Sequence, residues 1–394
     1  LADGPAIPLA RWAGRQLRQL AHDTGSARIA ALTGQGVLAE RAASNGFVIP
    51  GVISAGGRCQ LLSAADGWIA LNLARPDDRE LLPALFGETG FDPSDAHEIA
   101  DRISRTSVHH LLRQGRLLGL AIASGGETPA STAMDELATG PRRTACLLRP
   151  PLVVDFSALW AGPLAAHLIW LAGADVVKVE SQKRPDAMRE GDPGLFALLN
   201  QGKSSVLADL ATAEGRASVL GLLRRADIVI EAARPRALQQ LGINADEIVR
   251  SQPGLTWITI TGHGATGDAA EWVGFGDDCG VAGGLSATLA EASGTWGFVG
   301  DAIADPLTGI VAARAAWHGW QDGVSRRIGV SMSSIASMAL TQERAIEPTL
   351  LDADLQGWAA ARGQSISHKP TRQPEAVLSS LGADTSQWFH IPPC

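Results

Sequence analysis

The stretch Leu152-Val153-Val154-Asp155-Phe156, followed by a helical run over 164–172 and by Asp175-Val176-Val177-Lys178-Val179-Glu180, decides the fold. Two short apolar runs separated by a helix-length segment are the pattern of parallel strands joined by a crossover helix. Further on, strands are expected at 205–207, 228–231, 255–259 and 328–332, with helices at 212–225, 245–251 and 307–320. This alternation predicts an α/β fold, a doubly wound, mainly parallel, Rossmann-like sheet whose ligands sit outside the carboxyl ends of its strands. The first turn, Ser157-Ala158-Leu159-Trp160-Ala161-Gly162-Pro163, holds one glycine, and Gly262-His263-Gly264-Ala265-Thr266-Gly267 has no clear helix behind it. The dinucleotide fingerprint is therefore missing, and a nicotinamide oxidoreductase is disfavoured.

Before the sheet the character differs. Residues 126–150 are rich in Gly, Ser, Thr, Pro and charge and read as a linker. Residues 51–125 read as a small α+β domain: a hairpin from Cys59-Gln60-Leu61-Leu62 through Ala65-Asp66-Gly67 to 68–73, helices at 77–86, 96–104 and 107–115, and a strand at 117–123. Residues 1–50 are helical, with Leu9, Trp12, Leu17, Leu20, Ile29, Leu32, Val37 and Leu38 at helical spacing. The large domain is expected at 151–345 and a tail at 346–394, with helical pattern at 350–358 and 374–381 and no chemistry to name.

With 394 residues, 45% hydrophobic and 19% charged, the chain has ample material for two cores. A formal net charge of -8 argues against a nucleic-acid or polybasic membrane surface. Cys59, Cys146, Cys279 and Cys394 are scattered without metal or disulfide spacing, so no metal is expected and a reducing compartment is. No apolar run reaches 18 residues and no signal-peptide order opens the sequence, which predicts a cytoplasmic protein.

The chemistry is expected in Gly300-Asp301-Ala302-Ile303-Ala304-Asp305-Pro306-Leu307-Thr308-Gly309. Asp305 precedes a proline that suits a first helical turn, so it reads as the N-cap of a buried helix at the rim of the sheet.

Asp155-Phe156-Ser157 with Ala161-Gly162-Pro163, Gly173 to Glu180, Asn200-Gln201-Gly202-Lys203-Ser204, Ala226 to Glu231 and Asp305-Pro306-Leu307-Thr308-Gly309 together resemble, in order and spacing, the blocks of the class III coenzyme A transferases, the CaiB/BaiF family. The resemblance covers residues 152 to about 340. It implies coenzyme A as co-substrate, acyl-CoA and carboxylate substrates, a homodimer, and Asp305 as the nucleophile. It places coenzyme A at the cations Lys203 and Arg189; Leu159, Trp160 and Ala161 of the first turn, the nearby Lys183, and Arg234 at the carboxyl end of the 228–231 strand are further candidates for the same ligand. Ser181 and Gln240 stand where family members can present basic groups, and Lys183 and Arg184 are near enough to compensate.

One departure is architectural: the small-domain-like part precedes the large domain, as in a circular permutation or one half of a rearranged two-part protein. The family also contains α-methylacyl-CoA racemases, which need a histidine facing the aspartate. Here the segment reads Gly274-Phe275-Gly276-Asp277-Asp278, with Gly276 at the expected place, while His263, His167 and His318 read as loop or core residues. The mobile glycine-rich loop of family transferases is reduced to Gly56-Gly57. Trp160, Trp272 and Trp296 are candidate pocket walls. CoA transfer is the expected activity, with a racemase and a catalytically weak CoA-binding subunit as alternatives.

Overall fold

The computed structural model describes residues 5–88, 90–144, 149–233, 235–367 and 372–389. The smaller of its two sheets is antiparallel: β1 (Cys59–Ala64) pairs with β2 (Gly67–Asn72) across the two-residue turn Ala65-Asp66, and β3 (Ala121–Ser124) lies beside β2. Its faces alternate as a pleated sheet requires. Leu62, Ile69 and Leu71 pack on the lobe's own helices, while Cys59, Leu61 and Ala70 meet Val281 and Ala282 of the helix Gly276–Ala282.

The larger sheet contains β4 (Met134–Arg142), β5 (Leu152–Asp155), β6 (Asp175–Glu180), β7 (Ser204–Leu207), β8 (Ile228–Glu231), β9 (Thr256–Thr261) and β10 (Val324–Ser331). Their spatial order is β4-β10-β9-β8-β5-β6-β7, parallel throughout except for β4, which runs antiparallel to β10. β5 and β8 are buried at every residue, as strands covered on both faces must be. The strand order turns back between them, which opens a crevice at their carboxyl ends.

Three expectations need correction. The stretch 126–150 is not only a linker, because β4 lies within it; Ala138 is the strand's one buried residue, so an edge strand carries loop-like composition. The tail has a helix at Pro348–Ala360, but 374–381 is irregular and the last helix is Thr385–Phe389. Its backbone runs instead along β7, where Asp384 N–H donates to Ser205 C=O at 2.9 Å and Gly202 N–H donates to Val377 C=O at 2.9 Å. β10 stops at Ser331, and Met332 opens a helix, Met332–Ile346.

The N-terminal helices Ala10–Thr24 and Gly34–Asn45 share one core with the helix Ala304–Asp322. Trp12, Leu17, Leu20 and Leu38 belong to the same buried cluster as Leu307 and Ile310. Each such leucine contributes about 1.5–3 kcal/mol relative to exposure. Arg11 and Arg15 pair with the buried Glu343, and Trp12 donates its indole N–H to Gln342 at 2.8 Å.

Candidate active site

β5 ends at Asp155, and residues 156–160 lead into the helix Ala161–Leu171 at the crevice. Buried ion pairs hold this turn from below. Lys203 donates to Asp155 Oδ2 at 2.9 Å, Asn200 Oδ1 at 3.0 Å and Pro163 C=O at 3.1 Å. Lys178 donates to Ser157 C=O at 2.8 Å and pairs with Asp186 at 3.0 Å, while Leu159 N–H donates to Asp186 at 3.1 Å. Leu159 is left-handed, φ 68, a conformation that persists only when its surroundings enforce it.

Asp305 is the second residue of the helix Ala304–Asp322 and not its cap, which corrects the expectation from sequence; Ile303 holds the cap position. Pro306 fits there because a missing N–H has no intrahelical partner in a first turn. The half-buried Asp305 carboxylate accepts the N–H of Ala161, at the amino end of the neighbouring helix. The two helices approach closely enough that a Cβ on Gly309 would lie 2.8 Å from Ala161 C=O. That explains the glycine four residues after the aspartate, on the same helix face.

An acidic wall stands behind Asp305. Arg41, from the N-terminal helix Gly34–Asn45, binds both oxygens of Asp301, through Nε at 2.8 Å and through Nη2. Asp277 Oδ1 accepts Ala302 N–H at 3.0 Å, across a turn strained through Ala302 at φ 42. Burial pushes the Asp305 carboxyl up to about 7, with Arg41 opposing and Asp277 and Asp301 adding. Burial and Asp301 likewise raise Asp277 to about 6. Asp305 therefore combines raised basicity with the Ala161 N–H as a donor, in a crevice partly closed to water. That combination suits a carboxylate nucleophile.

The cleft in front of Asp305 has a volume of about 280 Å³ and is walled by Leu159, Ala161, Gly262, Trp272 and Phe275 of the large domain and by Arg75 of the small lobe. Of the residues expected at coenzyme A, Leu159 and Ala161 line it with Asp305. Trp160 is buried under the Arg41 guanidinium, 5.3 Å from its ring. Lys203 is only 2% exposed and is held by Asp155, and Arg189 is paired with Glu180 at 2.5 Å; these ammonium and guanidinium groups are engaged within the protein. Lys183 lies exposed in the loop after β6, and Arg234 lies outside the described residues. Of the three tryptophans, Trp272 lines the cleft, whereas Trp296 stacks on Trp68 at 5.1 Å.

Arg75 was not foreseen. Its Nε and Nη2 donate to Asp78 and Gly119 C=O, an N-terminal clamp that sequence presents only as Arg-Pro-Asp-Asp. The Gly56-Gly57 turn is not among the cleft residues, and a Cβ on Gly56 would come 3.2 Å from Arg41. At Gly276, the expected place of a racemase base, a Cβ would fall 2.3 Å from Ala302 C=O and 2.3 Å from Asp305 Oδ2. No side chain fits there, and the segment faces the cleft through Phe275 instead.

Residues 149–365 match CoA-transferase family III. The chain is 30% identical over 216 residues to succinate–glutarate CoA-transferase of Agrobacterium fabrum, covering 50% of this chain and 54% of that one. It is 33% identical over 171 residues to succinyl-CoA–D-citramalate CoA-transferase of Chloroflexus aurantiacus, covering 42% of each. A crystal structure of a hypothetical protein from Mycobacterium tuberculosis superposes with a TM-score of 0.46 at 27% identity, covering 52% of this chain and 60% of that one. The chain spans about half the length of the curated relatives it matches. Among the described residues no helix is long and apolar enough to cross a membrane.

Proposed function

The chain belongs to CoA-transferase family III, and from that premise we propose that it moves coenzyme A between an acyl-CoA and a carboxylic acid through Asp305. The observation that carries the reading is the Asp305 carboxylate at the floor of the cleft, held by Ala161 N–H and raised in basicity. The carboxylate attacks the thioester carbonyl and expels the CoA thiolate, leaving a mixed anhydride. The thiolate then attacks the aspartyl carbonyl, which releases the first acid and forms an aspartyl-CoA thioester. An incoming carboxylate attacks that thioester and expels the thiolate again; thiolate attack on the new acyl carbonyl regenerates Asp305. The protein acts, on this reading, as a cytoplasmic homodimer, and a monomer by light scattering would remove the dimer.

The relatives are named for succinate, glutarate and citramalate, all dicarboxylates. Arg75 lines the cleft and keeps Nη1 off its clamp to Asp78 and Gly119, which supports a dicarboxylate here too, its far carboxylate meeting that edge of the guanidinium. Arg75→Gln is then expected to raise the KM for the acceptor acid at least tenfold with a smaller change in kcat, in steady-state assays with succinate and glutarate.

The closed position at Gly276 and the apolar Phe275 support transfer over two-base proton exchange at an α-carbon. The engagement of Arg189 and Lys203 in internal ion pairs favours a second reading, a weak CoA-binding subunit. One experiment separates them: the protein is incubated with succinyl-CoA, trapped with hydroxylamine and mapped by mass spectrometry. Transfer requires an adduct on the Asp305 peptide that Asp305→Asn abolishes. CoA binding without any adduct supports the second reading, and an adduct on Asp301 or Asp277 moves the chemistry to another carboxylate.

A further inference from the structure

Behind the Gly262 and Gly274 wall of the cleft lies a cluster that the proposed reaction does not use. His263 follows β9, whereas Asp278 and Cys279 sit in the helix Gly276–Ala282. A ring nitrogen of His263, the Asp278 carboxylate and the Cys279 thiol all come within 4.8 Å of one another, and all three residues are buried. His263 is 2% exposed, and its Nε2 has no hydrogen-bond partner. The rest of the ring is anchored on Val273 C=O. An unpaired lone pair aimed into a closed polar cluster is costly unless something accepts it.

We infer that His263, Asp278 and Cys279 hold one divalent ion of the zinc type, with a water molecule completing its four-coordination. The donor set is one imidazole nitrogen, one thiolate sulfur and one carboxylate oxygen, which suits zinc and disfavours magnesium or calcium. His263 and Asp278 already have the outer support that metal ligands use. Val273 C=O beside the ring favours the His263 tautomer that leaves the lone pair on Nε2. Asp278 is oriented by Asn72 at 2.8 Å and by Phe275 N–H at 3.1 Å, with an oxygen lone pair to spare. The Cys279 thiol donates to Gly262 C=O at 3.3 Å, a bond that it gives up when the ion takes its place.

Cys279 Sγ and Asp278 Oδ2 are 4.0 Å apart. Tetrahedral zinc holds such atoms about 3.3–3.7 Å apart, so the thiol and carboxylate need to close by roughly half an ångström and the widest pair of the cluster by up to about 1.5 Å. The ion displaces the thiol proton to solvent, and its two positive charges match one thiolate and one carboxylate. Asp278 makes no ion pair among the described residues, so the ion also supplies the countercharge it lacks. Its effect is to staple the turn after β9 to the helix whose start closes against Asp305. A Cβ on Gly274 would lie 2.6 Å from Cys279 Sγ and 2.9 Å from His263 Nε2, so the backbone of the cleft wall covers the site on that side. No step of acyl transfer passes through it.

Cobalt(II) titration tests the assignment on the full-length protein after chelation and dialysis. One equivalent should bind with a thiolate-to-cobalt charge-transfer band in the near ultraviolet, and zinc should displace it and raise the Tm of the chelated protein. Cys279→Ser should lose the charge-transfer band, and His263→Gln should weaken binding at least a hundredfold, while Cys146→Ser and Cys394→Ser keep the full spectrum. Absence of the band in the parent at one equivalent overturns the site whether or not any variant folds. A band that survives Cys279→Ser overturns it as well.

Discussion

Asp305 carries a carboxyl whose proton leaves near neutrality, and the two consequences have opposite signs. The nucleophile is the ionised form, so adduct formation with succinyl-CoA should rise about tenfold per pH unit below about 7 and level off above it, in stopped-flow or quench measurements. Stability moves the other way. The folded chain holds this proton more tightly than the unfolded one, so the contribution is full below the ordinary aspartate value and is lost as pH rises through about 7. Asp305→Asn should therefore be more stable than the parent at pH 8, by on the order of 1–2 kcal/mol since the cleft admits water, with the gain shrinking towards pH 5. Denaturant midpoints at the two pH values check this. Asp305 was legible in sequence because a proline and a glycine follow it within about one helical turn. Its neighbours Arg41, Asp277 and Asp301 were not, because only the tertiary fold brings residue 41 to residue 301.

At the scale of elements, the turn after β5 matters more than its own residues suggest. It must present Ala161 N–H to Asp305 while Leu159 holds a left-handed backbone, and Lys203 with Lys178 fix it from beneath. Lys203→Met leaves Asp155 buried without that partner, and the expected loss is about 3–5 kcal/mol of stability by chemical denaturation. The KM for CoA thioesters in the folded fraction should stay within twofold. A fivefold rise with unchanged stability would return Lys203 to the ligand. The parallel strands were legible because burial on both faces leaves continuous apolar runs such as Val153-Val154 and Ile228-Val229-Ile230. β4 was not, since one buried residue in a polar edge strand leaves no pattern to read. Nor was the helix Gly276–Ala282, whose glycines and paired aspartates look like a loop until Asp278 is seen accepting Phe275 N–H at 3.1 Å. The cluster of His263 with Cys279 had no sequence spacing to betray it, because a turn and a helix supply its members.

On the whole molecule, the helices at the start of the chain are part of the large core rather than an attachment to it. Trp12→Ala should cost about 3–5 kcal/mol, and urea unfolding followed by fluorescence and by circular dichroism should still give one coincident transition. A separate early transition would mean that 10–45 fold as a unit of their own. The family match at 149–365 leaves the small lobe outside it, which supports the reordered arrangement of lobes as a proposal for this chain. The segment laid along β7 has a wider consequence. Ser205 N–H is already donated to Asp384 at 2.8 Å and Leu207 N–H to Thr385 at 3.0 Å, so that margin of the sheet offers no template for a further strand. The opposite margin, β4, carries Asp135, Glu136, Pro141 and Arg142. Charge and proline there discourage a second chain from zipping on. Ribbon-like growth of the seven-stranded sheet from copy to copy is blocked at one margin and discouraged at the other, which guards that sheet against fibrous stacking when the protein is crowded.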